Sequence, residues 1–164
     1  MTDAAPSHRL VSVIGAGQVE PLLYEQARET GARLAAAGLT VVTGGLGGVM
    51  EAASRGAAEA GGLSIGLLPG ERHEDANPWV HFAIPTGLGD ARNVLVAVAG
   101  LGVIAVAGEV GTLSEMALAL RRGLPVISLG SWELDPSRLH AGRVLLRADT
   151  PEQAVKLLLE QLNE

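Results

Sequence analysis

The sequence predicts an α/β fold, a three-layer α/β/α sandwich built on a mainly parallel sheet. Short apolar runs alternate with helix-period segments along the chain, the pattern of repeated βαβ units. Those runs are nearly continuously apolar, as burial on both faces by flanking helices requires. Glycine-rich turns follow several of them directly and open the next helical segment. Together these three observations describe a Rossmann-like arrangement in a single domain.

Leu10 to Ile14 reads as the first strand, β-branched and closed by Gly15. Leu22 to Ala37 has apolar residues at helical spacing and stops at Gly38. Thr40 to Thr43 is a second strand, and Val49 to Ala60 a helix that ends at Gly61-Gly62. Leu63 to Leu68 is a strand closed by Pro69-Gly70. Glu71 to Trp79 is polar and aperiodic, hence a loop, leading into a short strand at Val80 to Ile84. Asp90 to Ala99 is helical and Val103 to Ala107 a strand. Gly111-Thr112 opens a helix that reaches Arg122 and is capped by Gly123. Pro125 to Leu129 is the next strand, Ser131 to Gly142 a second loop, and Val144 to Leu146 an edge strand. Thr150 caps a last amphipathic helix, Pro151 to Leu162. Residues 1–8 are expected to be a flexible lead-in, and 9–164 one domain for a nucleotide or phosphorylated ligand.

The 164 residues suit one ordinary domain. The chain has no cysteine, which excludes a disulfide framework, a thiolate metal site and a cysteine nucleophile, and suits a reducing cytoplasm. No basic segment followed by a long apolar run opens the chain, so a secretory leader is not expected, nor is a membrane span. A formal charge of −6 argues against a nucleic-acid polymer as partner, since such binding draws on many Lys and Arg. A single phosphate is a different matter, because backbone amides hold it locally.

In open parallel sheets, ligands sit beyond the carboxyl ends of the strands, where strand order reverses. Three glycine turns fall at that edge. Gly15-Ala16-Gly17-Gln18 follows the first strand but fails as a dinucleotide fingerprint, because Glu20 stands where the third glycine belongs. Gly44-Gly45-Leu46-Gly47-Gly48 places four glycines in five positions just before a helix, where free amides and the positive helix end face the crevice. One glycine would serve a tight turn; four favour a binding role. The third turn, Ala107-Gly108-Glu109-Val110-Gly111-Thr112, lacks the lysine of a P-loop, yet Gly111 and Thr112 offer donors to a phosphate. Glu115 follows Thr112 at capping-box spacing, a structural role that weighs equally with catalysis.

The spans Gly44 to Glu51, Thr86 to Asn93 and Gly108 to Glu115 together resemble the Lonely Guy superfamily, often mislabelled lysine decarboxylase-like. Within it the chain is most similar to the molybdenum cofactor carrier branch. The resemblance implies a homo-oligomer, a homodimer or homotetramer, with a phosphate pocket at the Gly111-Thr112 helix start. In the hydrolase branch a Pro-Gly-Gly-x-Gly-Thr-x-x-Glu motif supplies a catalytic glutamate, matched by Glu115, and an arginine paired with it, matched by Arg92. Those enzymes are nucleoside monophosphate phosphoribohydrolases. A carboxylate there can stabilise an oxocarbenium-like ribosyl centre while arginine holds phosphate or ribose. The chain departs from that pattern at Ala107-Gly108-Glu109, in place of Pro-Gly-Gly, and at Asn93, in place of lysine. Both changes remove or oppose positive charge; the Arg92-Asn93 pair and the Gly-Gly-Val-Met-Glu turn at Gly47 to Glu51 look more like the carriers, which hold molybdopterin, a phosphate ester, without a chemical step. Three readings therefore stand: a binder or carrier with molybdenum cofactor as cargo and no required cofactor of its own, a phosphoribohydrolase using Glu115 and Arg92, or a subunit-interaction or structural protein with a vestigial pocket. Decarboxylation is disfavoured, since no lysine is placed for a pyridoxal phosphate Schiff base; Lys156 lies on the last helix.

The remaining conspicuous residues have plainer expectations. Glu51 favours a helix dipole. His8, His73, His81 and His140 lack metal-ligand spacing, so no metal site is expected. A buried Trp79 is expected to anchor the loop Asn77-Pro78-Trp79.

Overall fold

The computed structural model describes residues 9–163, so the expectation for residues 1–8 lies outside the described residues. Seven strands form one sheet: β1 Arg9–Gly15, β2 Leu39–Thr43, β3 Ser64–Leu68, β4 Phe82–Pro85, β5 Val103–Val106, β6 Val126–Leu129 and β7 Leu145–Ala148. Five helices connect or follow them: α1 Pro21–Ala36, α2 Val49–Glu59, α3 Arg92–Val98, α4 Val110–Arg121 and α5 Pro151–Asn163. The strand order is β4-β3-β2-β1-β5-β6-β7, and every pairing is parallel, so the sheet expected to be mainly parallel is wholly so. Strand order reverses between β1 and β5, which locates the crevice beyond Gly15 and Val106.

Alternation within each strand splits the core into two layers. Val11, Val13, Val41, Ile104 and Ile127 face one side, where residues of α1, α2 and α5 cover them. Ile14, Val42, Val103, Ala105 and Val126 face the other, under α3 and α4. Every one of these is fully buried or nearly so, which is why the strand segments read as unbroken apolar runs.

Small residues let α1 and α2 approach closely. A Cβ on Gly31 would overlap the carbonyl of Ala53, and one on Gly56 would overlap the carbonyl of Arg28. Across the same seam Tyr24 Oη donates to Glu51 at 3.2 Å, and Arg28 bridges Glu25 and Glu59. Glu51 thus has a partner on the neighbouring helix in addition to its place at a helix start.

Several local expectations need correction. The segment expected to be one helix from Asp90 divides into a 3-10 turn at Gly89–Ala91 and the seven-residue α3. The fourth helix begins at Val110, before the expected Gly111, with Glu109 as its N-cap and no side-chain cap. Thr112 is therefore inside the first turn and forms no capping box with Glu115. At α5 the expected cap is present: Thr150 Oγ1 accepts from the Gln153 amide at 3.1 Å. Gln153 Oε1 in turn accepts from the Asp149 amide.

Trp79 is only partly buried and lies under Arg55, 5.2 Å from the ring centroid. The loop is anchored instead by buried Asn77, whose Nδ2 donates to the carbonyls of Gly45 and Leu46 at 3.2 and 2.9 Å. Asn77→Ala should leave both carbonyls without that donor and cost about 1–3 kcal/mol. Urea unfolding would measure this, and an unchanged midpoint would show that the clamp is not structural.

Candidate functional site

All three glycine turns lie at one sheet edge, because all the strands run the same way. Between the β1 turn and the start of α4 is a cleft of about 170 Å³. Of the residues singled out from sequence, Gly15, Gly17, Arg92, Asn93, Gly111, Thr112 and Glu115 line it. Gln18 and Gly108 line an adjoining hollow of about 560 Å³. Gly44, Gly45, Gly47 and Gly48 line neither, and a Cβ on any of them would meet a neighbouring segment within 3.1 Å.

These four glycines form the backing of the cleft. A Cβ on Gly44 would overlap the Arg92 guanidinium, and one on Gly48 (φ 62°) the carbonyl of Ala16. Gly45 (φ 76°) packs against Leu68, 2.8 Å from where its Cβ would be. The expectation that the α2 start offers wholly free amides also changes, since the Val49 amide donates to the Ala16 carbonyl at 3.0 Å. That bond ties the second turn to the first.

At α4 the helix start is uncapped by any side chain, so its leading amides lack intrahelical acceptors and point beyond the strand ends. The chain reaches it through Ala107, with φ 50° the one described non-glycine residue at positive φ, and Gly108 at φ 117°. Trp132 Nε1 donates to the Glu109 carbonyl at 3.0 Å and holds this bend in place. Strain of this kind persists only where the surroundings enforce it.

Arg92 is only 8% exposed. Its Nη1 donates to the carbonyls of Gly44 and Leu67, each at 2.7 Å, so one nitrogen joins the ends of β2 and β3. Nε is buried without a partner. Two carbonyls thus fix the orientation of the guanidinium without using all of its donors. Burial, offset partly by Glu115 and Asp90, pushes its pKa below the ordinary guanidinium value. Glu115 is also 8% exposed, and burial pushes its carboxyl up to about 7 against the opposing pull of Arg92.

A carboxyl with that pKa is partly protonated near neutral pH, and it can then donate to a ligand oxygen as well as accept. With Glu115 neutral, the cleft presents Arg92, the Thr112 hydroxyl and helix-start amides, a set suited to an anion, with Glu109 the other acidic residue of its lining. A separate hollow of about 290 Å³ at the ends of β6 and β7 differs, because Arg147 there is already paired with Glu133 at 2.9 Å.

The folded protein binds the Glu115 proton more tightly than the unfolded chain does. Stability should therefore fall as pH rises from about 4.5 to about 7, by at most about 3 kcal/mol, and level off above. Glu115→Gln should remove this part of the pH profile and be the more stable form at pH 8. Denaturant midpoints across pH 4–8 would measure it, and identical profiles for the two proteins would count against a buried, proton-holding Glu115.

A model of the SLOG cluster4 family matches residues 8–155. The chain belongs to that family. It is 39% identical over 145 residues to an uncharacterized protein of Archaeoglobus fulgidus, covering 88% of this chain and 91% of that one. The solved molybdenum cofactor binding protein of Rippkaea orientalis is 37% identical, with a TM-score of 0.86 over 96% of this chain and 99% of that one. The molybdenum cofactor carrier protein of Chlamydomonas reinhardtii is 32% identical, with a TM-score of 0.83 over 96% and 99%. The Lonely Guy-like fold and the likeness to molybdenum cofactor carrier proteins, both expected from three short motifs, are thus found across nearly the full chain.

Sequence reasoning missed Met50 and Ala16 as cleft residues, and Leu67 and Asn77 as supports. Met50 lies within the Gly-Gly-Val-Met-Glu motif and was within reach of the motif reading. Leu67 and Asn77 act through contacts 25 and 31 residues distant, for which no local pattern exists. His73, His81 and His140 are exposed, and no cluster of metal-binding side chains occurs among the described residues.

Proposed function

We propose that the protein binds or carries a phosphorylated small molecule, with molybdenum cofactor as the leading cargo, and that the phosphate lies in the cleft at the start of α4. The observation that carries this reading is Arg92: a buried guanidinium, fixed by two carbonyls, that lines the same cleft as an uncapped helix start. Gly15, Gly17, Gly111 and Thr112 would approach the phosphate closely, and Asn93 and the Arg92 fork would orient it. Gly44, Gly45, Gly47 and Gly48 would act by holding that arrangement, and Gln18 and Gly108 by lining the hollow beside it. The names of the two solved relatives support the cargo. Calorimetric titration of the apo protein with molybdenum cofactor, nucleoside monophosphates and inorganic phosphate tests it. Failure of every phosphorylated compound to bind would reject the reading.

A second reading is favoured by the buried, partly protonated Glu115 beside Arg92. In it the protein is a nucleoside monophosphate phosphoribohydrolase, with Glu115 at the ribosyl centre and Arg92 on the phosphate. Free base released from AMP or its relatives, and lost in Glu115→Gln, would establish it; no product across a nucleotide panel would exclude it.

The same proposal includes self-association. Leu88, Val94 and Leu95 are 40–51% exposed on and just before α3, apolar surface that a second copy would cover in a homodimer or homotetramer. Light scattering would give the assembly mass. No described helix is long and apolar enough to cross a membrane. The setting we propose is cytoplasmic, in keeping with a chain free of cysteine.

A further inference from the structure

The cleft and the larger hollow beside it share two lining residues, Ala16 and Glu109. They differ in chemistry. The cleft sets Arg92 and the α4 start beside Glu109 and Glu115, whereas the polar side chains of the larger hollow are Gln18, Glu20 and Glu109, with no cation. Val19 and Leu23 supply its aliphatic surface. The cation and the helix-start amides favour a phosphate in the first, whereas nothing in the second offsets its carboxylates. The second, at about 560 Å³, has room for a bicyclic ring.

Glu109 favours the α4 dipole through its carboxylate, which makes no hydrogen bond or ion pair among the described residues. It is the N-cap of α4 yet makes no side-chain cap bond, and the Trp132 contact is to its backbone carbonyl. That contact, with the bend at Ala107 and Gly108, fixes where the side chain begins. A carboxylate only accepts hydrogen bonds, through two oxygens set side by side. Its best neutral counterpart is a ring edge bearing a ring N–H next to an exocyclic amino group, which forms two parallel charge-assisted bonds. Guanine and pterin have that edge. Hypoxanthine has the N–H alone, and adenine sets a ring acceptor against the carboxylate.

We propose that Glu109 is a specificity-determining residue, its carboxylate at the neck between the two hollows pairing with the N–H and amino group of a 2-amino-4-oxopyrimidine ring whose phosphate occupies the cleft. This rests on the phosphate reading given above. It also gives a function to the departure at Ala107-Gly108-Glu109, where a carboxylate beside a phosphate site would otherwise only weaken binding.

The test compares GMP, IMP and AMP by calorimetry on the wild-type protein and on Glu109→Gln, with competition by inorganic phosphate as the measure of the cleft alone. The wild type should bind GMP about 10-fold more tightly than IMP, and AMP more weakly than IMP. In Glu109→Gln the GMP and IMP affinities should converge, while phosphate binds at least as well as before because a nearby negative charge is gone. The ratio of GMP to IMP is the decisive readout, since a general effect on folding or charge moves both together. Equal binding of GMP and IMP by the wild type, or a ratio that survives Glu109→Gln, overturns the assignment while the phosphate site stands. If neither phosphate nor any nucleotide binds, the phosphate reading fails and this one with it.

Discussion

Gly56→Ala is expected to lower the melting temperature by roughly 2–8 °C, although the substitution raises helix propensity by about 1 kcal/mol. The reason is the seam between α1 and α2, where the new Cβ would overlap the backbone carbonyl of Arg28. Backbone cannot rotate aside as a side-chain end can, so the helices must separate along their length. That separation loosens Ala27, Ala52, Ala53 and Ala57, all fully buried in the layer over β1 and β2. Overpacking of this type costs about 1–3 kcal/mol. Gly31→Ala, which would overlap the Ala53 carbonyl in the same seam, should behave alike. The double variant should lose less than the sum, because helices moved apart for one methyl have already made room for the other. Thermal melts followed by circular dichroism read all three. A melting temperature at or above wild type for Gly56→Ala would show that the two helices are not in such close contact.

Arg92→Ala should harm both stability and binding. It strips the Nη1 donor from the carbonyls of Gly44 and Leu67 and leaves a void behind the cleft, for a loss of about 2–4 kcal/mol. Binding of phosphate or a nucleotide should weaken on the order of 100-fold, as the fixed cation is lost. Arg92→Lys should recover little, since a single ammonium cannot hold two carbonyls and still present a planar fork. The Glu115 carboxyl should also titrate higher in Arg92→Ala, because Arg92 is the group that lowers it. Urea unfolding, titration with inorganic phosphate and the pH profile of stability measure the three effects. Wild-type stability together with wild-type binding in Arg92→Ala would remove the central residue of the proposed site.

The order of strands and helices, the parallel sheet and the edge at which its glycine turns gather were legible in the sequence alone. Such features follow from periodicity and turn chemistry, which act over a few residues: Val41 and Val42 read as strand because both faces are buried, and Gly38 and Gly123 mark helix ends. The Glu115 and Arg92 pair was legible as motif. What each glycine does was not. The sequence offers Gly44 and Gly48 as ligand contacts, and only the folded chain shows that each also makes room for a neighbour, Arg92 and Ala16. The capping box at Thr112 failed because α4 starts two residues earlier, at Val110, which frees Glu115 from a local explanation. Its elevated pKa comes from burial by groups far apart in the chain. Local pattern fixed the elements and their order, whereas burial, charge environment and close approach depend on contacts between distant segments and exist only once the sheet has assembled.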